Sequence, residues 1–159
     1  MQLFDFESKY ASDVAEMINT ARWKERLFTN PQYHVTPDSL VEYIKDKKKN
    51  CRQYWMLIAI EKGKVIGYID FEITNNNEGL LRGIYLKHNY RNKGIGRKMI
   101  AEAERLLKNN GCNVIYAYIF EDNADAIRFL ERQGYLYQKA EKHSSRNKKY
   151  IVMKKEIIY

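Results

Sequence analysis

The chain is poor in the residues that staple or metallate small proteins. Its 159 residues hold two cysteines, Cys51 and Cys112, and three histidines, His34, His88 and His143. The cysteines have no metal-ligand spacing, the histidines lie far apart, and no carboxylate completes a set, so no metal is expected. A secreted disulfide framework would carry more cysteine, which leaves a reduced, cytoplasmic setting as the expectation. Long apolar runs are missing too. The longest, Tyr54 to Ile60, is far too short to span a bilayer, and Met1 to Glu7 shows no basic region followed by an apolar one, so no membrane association is expected. No linker, repeat or low-complexity tract appears, and residues 1–159 are expected to form one domain. No Ser or Cys sits in a nucleophile motif, which favours direct attack over an acyl-enzyme.

What is present is apolar and basic. An apolar content of 45% with 13% aromatic residues is globular. The formal charge of +8 favours an anionic partner: a phosphorylated cofactor, a nucleic acid or an acidic surface. Charge alone does not choose among them.

Periodicity orders the rest. Residues 2–6 alternate as a short strand. Val14, Met17, Ile18 and Ala21 mark a helix with Ser12 or Asp13 available as its cap. Trp23 to Val35 has no clean period. Thr36-Pro37-Asp38 opens a second helix with the apolar stripe Leu40, Val41 and Ile44, ending in Lys45 to Lys49, read as a solvated end that suits the helix dipole. Tyr54 to Ile60 is apolar on both faces, as in a covered strand. Glu61-Lys62-Gly63-Lys64 is a hairpin signal, and Val65 to Ile73 returns with Ile66, Tyr68, Asp70 and Glu72 on one face. After the turn Asn75 to Gly79 come a strand, Leu80 to Leu86, and an amphipathic helix over 94–109. Val114 to Phe120 places Tyr116, Tyr118 and Phe120 on one strand face. Asn123 opens a helix carrying Ala126, Ile127 and Leu130 that stops at Gly134. Tyr135 to Lys142 and Lys149 to Ile158 close the chain as a strand pair across Ser144 to Asn147. This order predicts a mixed α/β, or α+β, domain.

Arg91, Asn92, Lys93, Gly94, Ile95, Gly96 and Arg97 join the Leu80–Leu86 strand to the helix behind it. The first N–H groups of a helix have no intrahelical partner and lie at the positive end of its dipole, and glycines let the backbone approach a bulky anion. With its cations, the loop suits a pyrophosphate. Equally, the glycines could only punctuate a turn, with the cations on a solvated face.

These features together resemble the GNAT superfamily of N-acetyltransferases over nearly the whole chain. Arg91 to Gly96 matches the motif Arg/Gln-x-x-Gly-x-Gly. Asn123, Ala126, Ile127, Gly134 and Tyr135 match Asn-x-x-Ala-Ile, a helical turn, then Gly and an aromatic. The resemblance implies a single-domain GNAT-like fold, a central, mostly antiparallel mixed sheet splayed between its fourth and fifth strands and flanked by helices. It implies acetyl-CoA as co-substrate, with its pyrophosphate on Arg91 to Arg97, its pantetheine arm on the backbone of Leu86, and Asn123 and Phe129 beside it. The Leu86 N–H would also polarise the thioester carbonyl.

The departures from the family fall around the reaction. Leu130 stands where a Tyr often protonates the departing thiolate. Tyr118 takes the place of a Glu that serves as base in the ribosomal-protein acetyltransferases. Leu81-Arg82-Gly83 differs from the Leu-Glu-Gly of aminoglycoside acetyltransferases, and His88 replaces a Pro. An amine of pKa near ~10.4 costs about 4 kcal/mol to present unprotonated at pH 7, against about 2 kcal/mol for a thiol near ~8.5 leaving as thiolate. A base therefore matters more than an acid. Asp70 and Glu72 are the carboxylates on offer, with ordinary surface carboxylates as the alternative. The expectation is direct transfer to a primary amine, small or at a protein N-terminus or lysine, with Tyr118 and Glu72 handling protons; a packed aromatic pair is the other reading of Tyr118 and Tyr116. Arg82 has the wrong sign for a polycationic acceptor. Alternatives are an RNA-linked or ribosome-associated amine held by Lys45 to Lys49 and Arg146 to Lys149, and a domain that binds acyl-CoA without catalysis. Pure nucleic-acid binding is disfavoured by scattered basic residues, and a homodimer is left open among the partners.

Overall fold

The computed structural model describes residues 1–21, 34–142 and 149–157. Among the described residues, seven strands form one sheet in the order β1-β2-β3-β4-β5-β7-β6, with four helices on its faces. The strands are β1 (Gln2–Asp5), β2 (Gln53–Glu61), β3 (Lys64–Ile73), β4 (Gly79–Leu86), β5 (Val114–Phe120), β6 (Leu136–Lys142) and β7 (Lys149–Glu156). The helices are α1 (Ala11–Thr20), α2 (Pro37–Asn50), α3 (Ile95–Asn109) and α4 (Ala124–Arg132). All neighbours pair antiparallel except β4 and β5, which are parallel and joined through α3. A parallel pair needs such a crossover.

The expected elements are present, with one local difference before α1. A 3-10 turn over Ser8–Tyr10 leads into α1, so Tyr10 takes the cap position, and Ser12 and Asp13 fall inside the first turn. Thr36 caps α2 as expected, and its partner is Ser39. Thr36 Oγ1 accepts from Ser39 N–H at 3.0 Å while Ser39 Oγ accepts from Thr36 N–H at 2.9 Å, a reciprocal box that satisfies two end groups.

The core has two layers, one on each side of the sheet. Under α3 and α4 lie Leu57, Ile69, Phe71, Leu81, Leu86, Ile115 and Ala117, with Met99, Ile100, Ala103 and Leu107 of α3 packed on them. Under α1 and α2 lie Tyr54, Met56, Ile58 and Tyr68. β2 is thus covered on both faces, as its sequence indicates.

β3 does not alternate as simply as its sequence suggests. Ile66 packs in the α3 layer and Tyr68 in the other, so these two do not share a face. The pairing slips between Ala59 and Ile60, leaving Ile66 as the extra residue of a bulge. Next to it, Gly67 has β4 pressed against it, and a Cβ there would strike the Tyr85 carbonyl and approach Leu86 Cδ1 to 3.1 Å. Gly67→Ala is accordingly expected to destabilise the protein by about 1–3 kcal/mol in urea unfolding, since the obstacle is largely backbone.

Candidate active site

β4 and β5 pair over only three positions, Gly79–Ile115, Leu80–Tyr116 and Leu81–Ala117. Gly79 allows the strands to pinch there: an added Cβ would lie 3.1 Å from both Ile115 Cγ1 and Leu107 Cδ1. Beyond Leu81 the strands part, and the pairing of β4 with β3 slips at the same place, Asp70 facing Gly83 and Phe71 facing Leu81. Arg82 is the bulged residue. The sheet is splayed where the resemblance implies.

Past the bulge, β4 shows backbone to the gap. Lys87 N–H donates to Ile66 O on β3 at 2.9 Å, so by alternation the N–H and C=O of Leu86 turn to the opposite edge, where β5 has departed. The Leu86 carbonyl accepts from Arg91 Nε–H at 2.7 Å, and the Arg91 guanidinium lies 5.3 Å from the Tyr85 ring centroid. Arg91 therefore clamps the loop onto the end of β4.

The loop then turns into α3 through two left-handed residues, Asn92 at φ 61° and Gly94 at φ 83°, with Gly94 in the cap position. The first helical bond is Lys98 N–H to Gly94 O at 3.2 Å. The N–H groups of Ile95, Gly96 and Arg97 precede it, and no acidic residue stands in the first turn. Gly96 meets α4: a Cβ would lie 3.2 Å from Cε1 and Cζ of Phe129. Lys93 and Arg97 are exposed beside them. These residues fit a diphosphate, with backbone donors, flanking cations and a glycine where a side chain would crowd.

Asn123 is buried and caps α4, its Oδ1 accepting from Ala126 N–H at 3.3 Å. It fixes the helix that carries Phe129. Leu130 is 5% exposed and packs in the α3 layer of the core, so the family's usual Tyr position is here an apolar core position.

On the other face, the carboxylates of β3 are not at the surface. Asp70 and Glu72 are 0% and 5% exposed beneath α2. Glu72 is ion-paired to Lys47 at 3.1 Å and to Arg82 at 3.2 Å. Lys47 is thus turned into the protein, while Lys45, Lys48 and Lys49 are exposed as a solvated helix end would have them. Asp70 Oδ2 accepts from the Tyr54 hydroxyl at 2.7 Å, while Asp70 Oδ1 and Arg82 Nε are buried without hydrogen-bond partners among the described residues. Burial pushes the Asp70 carboxyl up to about 6; the Tyr54 bond, Arg82 and Lys47 pull the other way, and Glu72 adds to the rise. Burial, with Asp70 next, also raises the Tyr54 and Tyr43 phenols.

The register arranges these groups in rows. Glu72 pairs with Leu80, which pairs with Tyr116. Asp70 pairs with Gly83, beyond the parting point, and Tyr118 is the first residue of β5 past it. Tyr118 is 41% exposed on the face opposite Ala117. Glu72 is therefore level with Tyr116 rather than with Tyr118. Asp70, offered by the sequence only as one of two carboxylates, stands out through its burial and register. Among the described residues no three of His, Cys, Asp and Glu cluster as metal ligands, and no helix is long and apolar enough to cross a membrane. Residues 22–33 and 143–148, which hold most of the aperiodic segment, His143 and Arg146, lie outside the described residues.

A sheet opened between two parallel strands above a glycine-turned helix N-terminus defines the class of the fold as α/β, with backbone donors suited to an anion at that opening. The family model described as acetyltransferase (GNAT) family matches residues 16–135, and the chain belongs to that family. A spermidine N(1)-acetyltransferase of Thermoplasma acidophilum is 32% identical over 77 residues, which are 48% of this chain and 47% of that protein. The match thus spans about half the length of that relative. A spermine/spermidine N(1)-acetyltransferase of Bacillus subtilis is 29% identical over 118 residues, 65% of this chain and 77% of that one. Among solved structures, that of yncA from Salmonella typhimurium with its cofactor acetyl-CoA has a TM-score of 0.81 at 19% identity, covering 100% of this chain and 95% of its own.

The raised carboxyl of Asp70 gives a pH signature in stability. Its folded value of about 6 lies above the unfolded 3.8, so its stabilising contribution is full below about pH 4 and is lost as pH rises through about 6. Relative to wild type, Asp70→Asn is expected to gain on the order of 3 kcal/mol between pH 4 and pH 7 in paired urea unfolding curves. Parallel stability curves would contradict the raised value.

Proposed function

We propose that the protein transfers an acetyl group from acetyl-CoA to a primary amine by direct attack while both substrates are bound. The observation that carries this reading is the opened β4–β5 edge running into the Gly94–Arg97 helix start, with Phe129 laid on Gly96. Acetyl-CoA supplies the activated thioester. Asn92 to Arg97 hold its phosphates through backbone N–H groups and flanking cations, Arg91 keeps the loop on β4, and Asn123 holds α4 so that Phe129 borders the groove. The Leu86 N–H, turned to the open edge, supports its assignment to the thioester arm. Tyr118, exposed on β5 beside the parting point, is assigned to proton handling at the leaving sulfur. Glu72, closed by two cations, sets the charge around the acceptor's side of the sheet, a positioning role.

For the acceptor, the two N(1)-acetyltransferase relatives act on polyamines, but the charges here favour a simpler amine. Lys47 and Arg82, both paired to Glu72, balance the charges of Glu72 and Asp70 in number, so this cluster offers no surplus negative charge for a second ammonium. We assign a monoamine, free or at a peptide end, as the preferred acceptor. The pairing of Lys47 with Glu72 takes one cation out of the basic run on which the RNA-linked alternative relies. Family membership favours an enzyme over a non-catalytic acyl-CoA-binding domain.

Thiol release from acetyl-CoA across monoamines, amino acids, peptides, polyamines and aminoglycosides tests this: turnover with at least one monoamine or peptide is expected, exceeding that with spermidine. Release only with polyamines would refute the acceptor assignment, and none with any amine would refute the activity. The donor site has a separate check. CoA should raise the melting temperature of wild type, and Gly96→Val, which forces a side chain against Phe129, should shrink that rise; each tenfold loss of affinity removes about 1.4 kcal/mol of ligand stabilisation.

A further inference from the structure

Asp70 and Glu72 lie two residues apart on one face of β3 yet stand in different chemical states. Two cations close the Glu72 carboxylate, whereas Asp70, wholly buried, has only Tyr54 on one oxygen and nothing on Oδ1 among the described residues. Buried polar atoms are ordinarily paired, so an orphaned carboxylate oxygen points to a partner that comes and goes. The sheet gives it a place to act. Its cross-strand neighbour is Gly83, which lies just past the last β4–β5 pair, where Tyr118 begins the opposite wall. A second orphan, Arg82 Nε–H, belongs to the same charge network.

We infer that Asp70 is the proton acceptor of the transfer, receiving the amine proton at Oδ1 on the row where β4 and β5 part. The inference rests on the acetyl-transfer reading above. The amine nitrogen forms the new N–C bond at the thioester carbonyl carbon, and the C–S bond breaks with its electron pair going to sulfur. The proton leaves nitrogen for Asp70 and returns from there to solvent, while the thiolate takes a proton at Tyr118 or in water. Only the ionised carboxylate can do this, so activity requires a pH above its titration.

The groups that face Asp70 predict how that titration moves. Tyr54 comes from β2, Tyr43 and Lys47 from α2, Tyr68 and Glu72 from β3 itself, and Arg82 from β4; α1 turns only apolar side chains to its buried face. The Tyr54 bond, Arg82 and Lys47 favour the ionised carboxylate, and Glu72 opposes it.

The test follows kcat/KM against pH with the best amine of the panel, beside the Asp70 carboxyl carbon titrated by NMR in the free enzyme. An acid limb near pH 6 that coincides with the carbon titration is expected. Asp70→Asn, which can still accept from Tyr54, should lower kcat/KM about a hundredfold and abolish the limb while leaving the CoA-induced rise in melting temperature unchanged. Tyr54→Phe and Lys47→Met should move the limb and the carbon titration to higher pH, and Glu72→Gln should move both to lower pH. A limb that survives Asp70→Asn, or that stays fixed in Tyr54→Phe and Glu72→Gln, would overturn the inference and leave acetyl transfer standing. Absence of turnover with any amine would overturn both.

Discussion

Parallel strands bonded along their whole length bury the backbone groups of their facing edges, and β4 and β5 do so at three positions only. The groove, the loop and the buried charges beside them all depend on that short pairing. Gly79 lets the two strands and α3 converge at the closed end, and the Arg82 bulge turns β4 away immediately afterwards. The edge of β4 that a neighbour would have covered is then available, and the chain reverses through Asn92 and Gly94 to aim a helix start along it. Arg91 ties the reversal to the strand, so loop and edge form one surface.

The same bulge organises the other face. Alternation from Leu80 puts Arg82 on the Glu72 face, where its side chain joins Lys47 on Glu72, and the bulge then sets Gly83 opposite Asp70. A buried ion pair brings little net stability, since desolvation offsets much of the attraction, but removing one member leaves an uncompensated charge. The arrangement of two cations and two carboxylates is therefore better understood as a device that fixes charge at one place in the sheet. Glu72 takes up the cations directly and Asp70 feels them at one remove, which is why burial dominates its titration.

Much of this was legible in the sequence. Thr36-Pro37, the Lys62-Gly63 turn, the 94–109 stripe and Gly134 each declare a boundary through local chemistry, and the splay was expected from the family resemblance that two spaced motifs carry. What was not legible depends on tertiary register. The bulge at Ile66 swaps a face that simple alternation assigns wrongly, and nothing in Val65 to Ile73 announces it. Lys47 reads as one lysine among several until the sheet places Glu72 beneath it. Asp70 and Glu72 are indistinguishable by spacing alone. Only the pairing of one with Gly83 and of the other with Leu80 separates them. The insertion of β7 between β5 and β6 is also a long-range pairing that strand order does not encode.

The two faces of the sheet carry different substrates in the proposed reaction. α3 and α4, with Gly96 and Phe129 in contact, build the donor side, while α2 covers the buried carboxylates on the other. A covered sheet is an effective partition, because side chains fill both surfaces and the ladder closes the strands between them. Donor and acceptor can therefore meet only where the ladder is interrupted, beyond Leu81 and Ala117. A proton acceptor has to sit at that interruption and on the acceptor's side of it. Glu72, one row back at the closed pairs and already held by two cations, meets neither requirement as well as Asp70 does.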